Sequence, residues 1–136
     1  MSESNLTEIV QQNIGKVDQF VYRVPKKNHD AMMKLDKQFS DIITKEFGVA
    51  HLVFQLSNIE SPMEGISNIA KIISAAQDEE VWLELLLYRD RKHKDEVGIK
   101  MRNDERMGTL WQQSVALVST GTDFIMGEFS RLRMDE

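Results

Sequence analysis

Residues 81–88 read Val-Trp-Leu-Glu-Leu-Leu-Leu-Tyr, and no other stretch constrains the fold of this chain as strongly. Successive side chains of a strand point to opposite faces, so an apolar run this continuous asks for cover on both sides of its sheet. Glu84 is the one charge inside the run. A carboxylate among leucines either faces solvent or has a partner, because burying it alone is costly. The run predicts a strand buried on both faces, and the rest of the chain has to supply its two covers.

The first cover is legible as a helix. From Asn28 to Phe47 the apolar residues Met32, Leu35, Phe39, Ile42, Ile43 and Phe47 recur at spacings of three and four. Lys34, Lys37, Asp41 and Lys45 fall on the other side, and Gly48 sits where the helix must stop. Strand formers mark Val17–Val24, which Pro25 ends, and Val49–Ile59, centred on Leu52, Val53, Phe54 and Leu56. Ser61-Pro62-Met63-Glu64 has the pattern of a helix start, and Ile66, Ile69, Ala70 and Ile73 extend it as a short helical stripe. After the polar turn Gln77–Glu80 comes the strand Val81–Tyr88, and Asp90 then caps a charged helix to about Met101. Asn103 and Asp104 interrupt that helix. A second stretch follows, with Met107, Leu110, Trp111, Ser114, Val115 and Val118 on one face, and Phe124–Leu132 is the last strand.

Ahead of these elements, Leu6, Ile9, Val10 and Ile14 form a short amphipathic stripe, with Asn5 and Glu8 at capping-box spacing and Gly15 as a stop. The expected organisation is a helical extension over residues 1–16 and one domain over 17–136. The order strand, helix, strand, strand, helix, strand describes an α+β fold, a ferredoxin-like βαββαβ sandwich. Helices on one face leave the other bare, and a strand apolar on both sides should not meet water there. Burial against a symmetric copy is the economical solution, so a homodimer is expected.

Composition narrows the function classes. Of 136 residues, 41% are hydrophobic and 29% charged, the balance of a globular domain able to bury its own core. There is no cysteine, hence no disulfide, thiolate metal site or cysteine nucleophile, which suits a reducing compartment. The net charge is −5, and the one dense basic stretch (Arg89, Arg91, Lys92, Lys94) is diluted by Asp90, Asp95 and Glu96. That argues against nucleic acid, whose binders neutralise phosphates with a basic face. No apolar run approaches the ~20 residues that span a bilayer, and the opening residues lack a signal-peptide pattern. The expectation is a cytoplasmic protein with no nucleic-acid or membrane partner.

Three segments resemble a known family. Phe20-Val21-Tyr22-Arg23-Val24-Pro25-Lys26-Lys27-Asn28 is similar to the first strand and following helix start of the YbaA-like proteins of unknown function. Tyr88-Arg89-Asp90-Arg91-Lys92-His93-Lys94-Asp95 resembles their strand-to-helix segment, and Ile125-Met126-Gly127-Glu128-Phe129 their last strand. The resemblance runs from about residue 17 to 133; residues 1–16 lie outside it, and 61–76 depart from its pattern. It implies a dimeric α+β barrel, two ferredoxin-like sheets packed face to face, and it brings no activity.

Candidate chemistry rests on few residues. His51 shares one side of its strand with Val49, Val53 and Gln55, while Glu84 and Glu128 each sit inside a strand. If His51, Glu84 and Glu128 project onto one sheet face, they can meet in a cavity as a base and its partner. The competing expectation is that the two glutamates make ion pairs with Arg23, Arg131 or the basic cluster. His29 is expected to be exposed and His93 to be a packing residue of its helix. No histidine pair has metal-motif spacing, no glycine-rich loop opens a helix after a strand, and no nucleophile elbow is present. The expectation is no cofactor and no metal. A homodimeric small-molecule-binding or structural module is the first functional reading. A cofactor-independent oxygenase- or isomerase-like enzyme is the alternative, and an adaptor using the N-terminal helix is a weaker third.

Overall fold

The computed structural model describes residues 14–119 and 124–134. Its strands are β1 (Lys16–Pro25), β2 (Ala50–Gln55), β3 (Glu79–Tyr88) and β4 (Ile125–Ser130). The helices are α1 (His29–Phe47), the single turn α2 (Ile69–Ile72), α3 (Arg91–Arg102) and α4 (Glu105–Leu117), with a 3-10 turn over Lys26–Asn28. The strands form one sheet in the order β2-β3-β1-β4, and all pairings are antiparallel. This is an α+β architecture. Residues 81–88 form the inner strand β3, which has neighbours on both sides.

The pleat divides the sheet into two faces. One carries Phe20, Tyr22 and Val24 of β1, Trp82, Leu86 and Tyr88 of β3, and Val53 of β2, and packs against α1, α3 and α4. Met32, Leu35 and Ile43 of α1, Val97 of α3, and Met107 and Leu110 of α4 complete this main core. Tyr22, Val24 and Ile43 are completely buried there.

The long helix begins where the sequence puts it, but Asn28 does not cap it with its side chain; its amide Nδ2 instead donates to Leu117 O at 2.9 Å, tying the start of α1 to the end of α4. Asp90 and Asp104 do cap α3 and α4, accepting from His93 N and Arg106 N. At the other end of α1, Gly48 adopts φ 69°, and Val49 N–H returns to Ile43 O at 3.0 Å. A left-handed residue is what such a helix stop requires.

Two expectations need correction. β2 ends at Gln55 rather than Ile59. Leu56 N–H still reaches Val81 O at 2.8 Å, but beyond it Asn58 accepts from Glu60 N, and Asn68 Nδ2 donates to Asn58 O and Glu60 O. Asparagine side chains here offer the backbone a local alternative to the sheet ladder. The helix expected from Ser61 is reduced to Ile69–Ile72, capped by Asn68, whose Oδ1 accepts from Ala70 N. Its β-branched content favours no longer helix.

This irregular segment has a structural task. Leu56, Ala70, Ile73 and Ala75 pack on Val21, Val81 and Leu83, so the second face of the sheet is partly covered from within the chain. Ile14 packs with Ala50 and Leu87 on the same face. Between and beyond these, Phe54, Ile125 and Phe129 remain about half exposed. The extension expected as a helix over Asn5–Ile14 lies, apart from Ile14, outside the described residues.

Replacing Gly48 by alanine meets no atom within 4 Å, so only the left-handed backbone opposes it. Gly48→Ala is expected to cost about 1 kcal/mol in urea unfolding, and Gly48→Asn clearly less. Equal costs for the two would show that the conformation is not what matters at this position.

Candidate functional site

Strand register brings the site together. On the helix-covered face, Glu84 of β3 lies directly opposite Phe20 of β1 and Val53 of β2. Tyr22 pairs with Trp82 and His51 with Leu86, which makes them the diagonal neighbours of Glu84 on its two flanking strands. Diagonal positions on one face are within reach of long side chains. Both make the contact: Tyr22 Oη donates to Glu84 Oε1 at 3.2 Å, and His51 Nε2 bonds Glu84 Oε2 at 2.5 Å. Phe39 of α1 meets the His51 ring edge to face at 5.1 Å and helps fix its plane.

A fourth member comes from the helix above. Asp36 is 9% exposed, and its Oδ2 is buried without a hydrogen-bond partner. Burial raises the Asp36 carboxyl to about 7, and the negative charge of Glu84 adds to that effect. His51 and the Tyr22 hydroxyl act in the opposite direction. The Tyr22 phenol is pushed far above its ordinary value by its own burial first and by the two carboxyls second. Two acids in one buried place do not both ionise freely, and here the helix-borne one keeps its proton into the neutral range.

Asp36 and Glu84 line a cavity of about 170 Å³ between the sheet and the helices. Its walls are mostly apolar and include Phe20, Phe39, Trp111 and Phe124, with Met101 from α3 and Ser114 from α4. Trp111, at 53% exposure, also meets solvent. The arrangement is a small, mostly apolar chamber whose polar lining is Asp36, Glu84 and Ser114.

Of the three residues singled out in the sequence, the structure joins His51 to Glu84 and separates Glu128 from them. Glu128 is on the same face and opposite Asp18, but β4 is three strands away from β2, roughly 14 Å at the usual interstrand spacing. Its carboxylate binds Arg91 Nη1 at 2.6 Å and Lys94 at 3.6 Å, and Lys94 also binds Asp18. This network is the pairing with the basic cluster weighed above, and it fastens α3 to the sheet.

His93 is buried beside it. Its Nδ1 accepts from Arg89 N at 3.0 Å, and burial lowers its affinity for a proton, so it serves the β3–α3 turn. His29 is not free in solvent as expected: its Nδ1 contacts Glu80 Oε1 at 2.7 Å, and its ring meets Trp82. Among the described residues no group of three or more His, Asp or Glu side chains is arranged to hold a metal ion. No helix among them is long and apolar enough to cross a membrane.

The sequence reading passed over Asp36. The signal was available: the residue is four after Met32, next to Leu35 and three before Phe39, on the apolar stripe of α1. A carboxylate at that phase is as conspicuous as Glu84 in its strand. Tyr22 carried no comparable signal, since a tyrosine in a strand is ordinary.

Residues 16–117 match the model of a family described as a protein of unknown function, DUF1428. The chain belongs to this family. The DUF1428 region takes in Tyr22, Asp36, His51 and Glu84 and ends before Glu128, so the buried cluster lies wholly inside it. No curated protein matches the chain.

Asp36 sets a pH dependence that the DUF1428 fold should display. Its folded-state affinity for a proton exceeds the ordinary value of 3.8, so the native state holds a proton that the unfolded chain releases between about pH 4 and 7. Stability from this group is therefore fully present below pH 4 and is lost as pH rises toward 7. Asp36→Asn removes that slope. The variant should gain on the wild type by up to about 1.4 kcal/mol per pH unit across this window in denaturant unfolding. Parallel stability–pH curves for the two proteins would refute the assignment. At His51 the expectation is opposite in sign: His51→Ala leaves Glu84 short of a partner and should cost roughly 3 kcal/mol at neutral pH.

Proposed function

We propose that this protein is a homodimeric, cytoplasmic, small-molecule-binding module, ferredoxin-like in fold, that takes its ligand into the chamber between sheet and helices. The observation that carries the reading is the chamber itself. It is apolar over most of its surface, and its polar lining is limited to Asp36, Glu84 and Ser114. Binding sites for small molecules have this character: apolar walls for affinity and a small polar set for orientation. Empty cavities of about 150 Å³ accept a benzene-sized guest, so the ligand, or the part of it that enters, is of that order.

The antiparallel order β2-β3-β1-β4, with the long helices on one face, supports the ferredoxin-like reading. The resemblance to the YbaA-like proteins supports pairing into a dimeric α+β barrel. So do Phe54, Ile125 and Phe129, large apolar side chains left about half exposed on the second face. In that assembly the second copy covers what Leu56, Ala70 and Ile73 leave open. A cytoplasmic location suits a cysteine-free chain.

One observation favours the alternative of a cofactor-independent enzyme, and within it an isomerase over an oxygenase. Asp36 titrates at about 7 beside a second carboxyl. A group with that property is suited to take a proton from one carbon of a bound substrate and return it to the neighbouring one.

Two measurements test the proposal. Ser114→Phe fills the chamber and should abolish saturable binding of small aromatic probes followed by ligand-observed NMR, while the folded spectrum persists; undiminished binding would place the ligand elsewhere. In sedimentation the wild type is expected at twice the chain mass, and the double variant Phe54→Glu, Phe129→Glu at the chain mass. A monomeric wild type would overturn the assembly.

A further inference from the structure

The polar groups of the chamber share one property, which becomes visible when each hydrogen is followed to its acceptor. The Tyr22 hydroxyl hydrogen is given to Glu84 Oε1. The Ser114 hydroxyl hydrogen is given to Leu110 O at 2.9 Å, so Ser114 Oγ offers the chamber only lone pairs. His51 Nε2 is engaged by Glu84 Oε2. Among the described residues Asp36 Oδ2 is buried without a hydrogen-bond partner, and the Tyr22 hydroxyl beside this carboxyl is directed to Glu84. Among the described residues no lysine or arginine lines the space. What remains for a guest is the Asp36 carboxyl and the lone pairs of Ser114, beside aromatic rings.

From this, and resting on the small-molecule reading above, we propose that the chamber selects a small organic ammonium ion with an apolar body, its N–H groups directed at the Asp36 carboxyl that lines the space and its carbon skeleton against the aromatic wall. Three physical arguments agree. A buried acceptor without a donor is an unmet cost, and a charged donor is the partner that offsets it most strongly. The rings of Phe20, Phe39, Trp111 and Phe124 offer faces that attract cations, most strongly when water is excluded. An anion would meet Asp36 and Glu84 while the His51 imidazole is already committed to Glu84, and a neutral carbonyl would have only the Asp36 proton to receive.

The pH dependence then has a definite sign. The titratable groups facing Asp36 are Tyr22 from β1, Glu84 from β3 and His51 from β2; α3 and α4 contribute only Met101, Met107, Leu110, Trp111 and Ser114 to the wall, none of which titrates. An ammonium ion binds the ionised Asp36 carboxyl, so below about 7 it must displace a proton. Affinity should fall about tenfold from pH 8 to pH 6. A neutral carbonyl compound would show the reverse trend, since it needs the proton that Asp36 loses.

The test is calorimetric titration of the full chain with three probes of one shape: benzylammonium, benzyl alcohol and benzoate. Benzylammonium is expected to bind at least tenfold more tightly than benzyl alcohol at pH 8, with benzoate not bound. Its binding should lose the pH dependence and most of its affinity in Asp36→Asn, and be abolished in Ser114→Phe, whose fold is checked by thermal melting. If benzyl alcohol binds as well or better and Ser114→Phe still abolishes it, the chamber is a ligand site and the ammonium assignment is wrong. Equal binding of benzylammonium by the wild type and Asp36→Asn, or at pH 8 and pH 6, also overturns the assignment. If no probe binds, or Ser114→Phe binds all three unchanged, the small-molecule reading of the chamber falls with it.

Discussion

A carboxylate in the middle of an otherwise apolar inner strand has to be held, and the way Glu84 is held organises this protein. The strand itself, β3, pairs on both sides and carries leucines on one face and large core residues on the other. Glu84 would be intolerable there alone. It is tolerated because the register places Tyr22 and His51 on the two diagonals, where their side chains reach its two oxygens. A one-residue slip of either neighbouring strand would turn its partner to the opposite face. The polar contacts and the pairing register therefore specify one another.

The same constraint explains the chamber. A core packed to the usual density leaves little room beside a carboxyl group, yet here Asp36 and Glu84 line an open space shared by β1, β3, α1, α3 and α4. Asp36 projects from the apolar stripe of α1 toward a sheet that already has a carboxylate, and its proton is retained into the neutral range as a consequence. An apolar residue at either position would make a simpler core. The molecule retains two acids where stability alone asks for none.

The ionic network around Glu128 is a useful contrast. Asp18, Arg91, Lys94 and Glu128 also join helix to sheet, but each carboxylate there has a cation, and Arg91 is largely exposed. Its charges compensate one another and leave nothing for a ligand. The cluster at Glu84 differs by holding two carboxyls and a phenol against one imidazole, beneath the helices. Placement in the sheet, more than residue type, separates the two.

The sequence by itself determined the elements whose signals are local. The periodicity of α1, the cap at Asp90, the stop at Gly48 and the strand character of residues 81–88 all follow from neighbours a few residues apart. It also made His51 and Glu84 visible, since each is a polar residue in a strand. Only the tertiary structure decided which residues meet. Whether Glu84 finds His51 or an arginine depends on strand order and register, which pair residues 33 positions apart and are set by the packing of the whole sheet. The segment from Ser57 to Asn68 was illegible for a related reason: its conformation is fixed by asparagine-to-backbone bonds that exist only once the chain has turned back on itself. Asp36 became significant only when α1 lay across the sheet, because a carboxyl acquires an unusual proton affinity from its surroundings and not from its place in the chain.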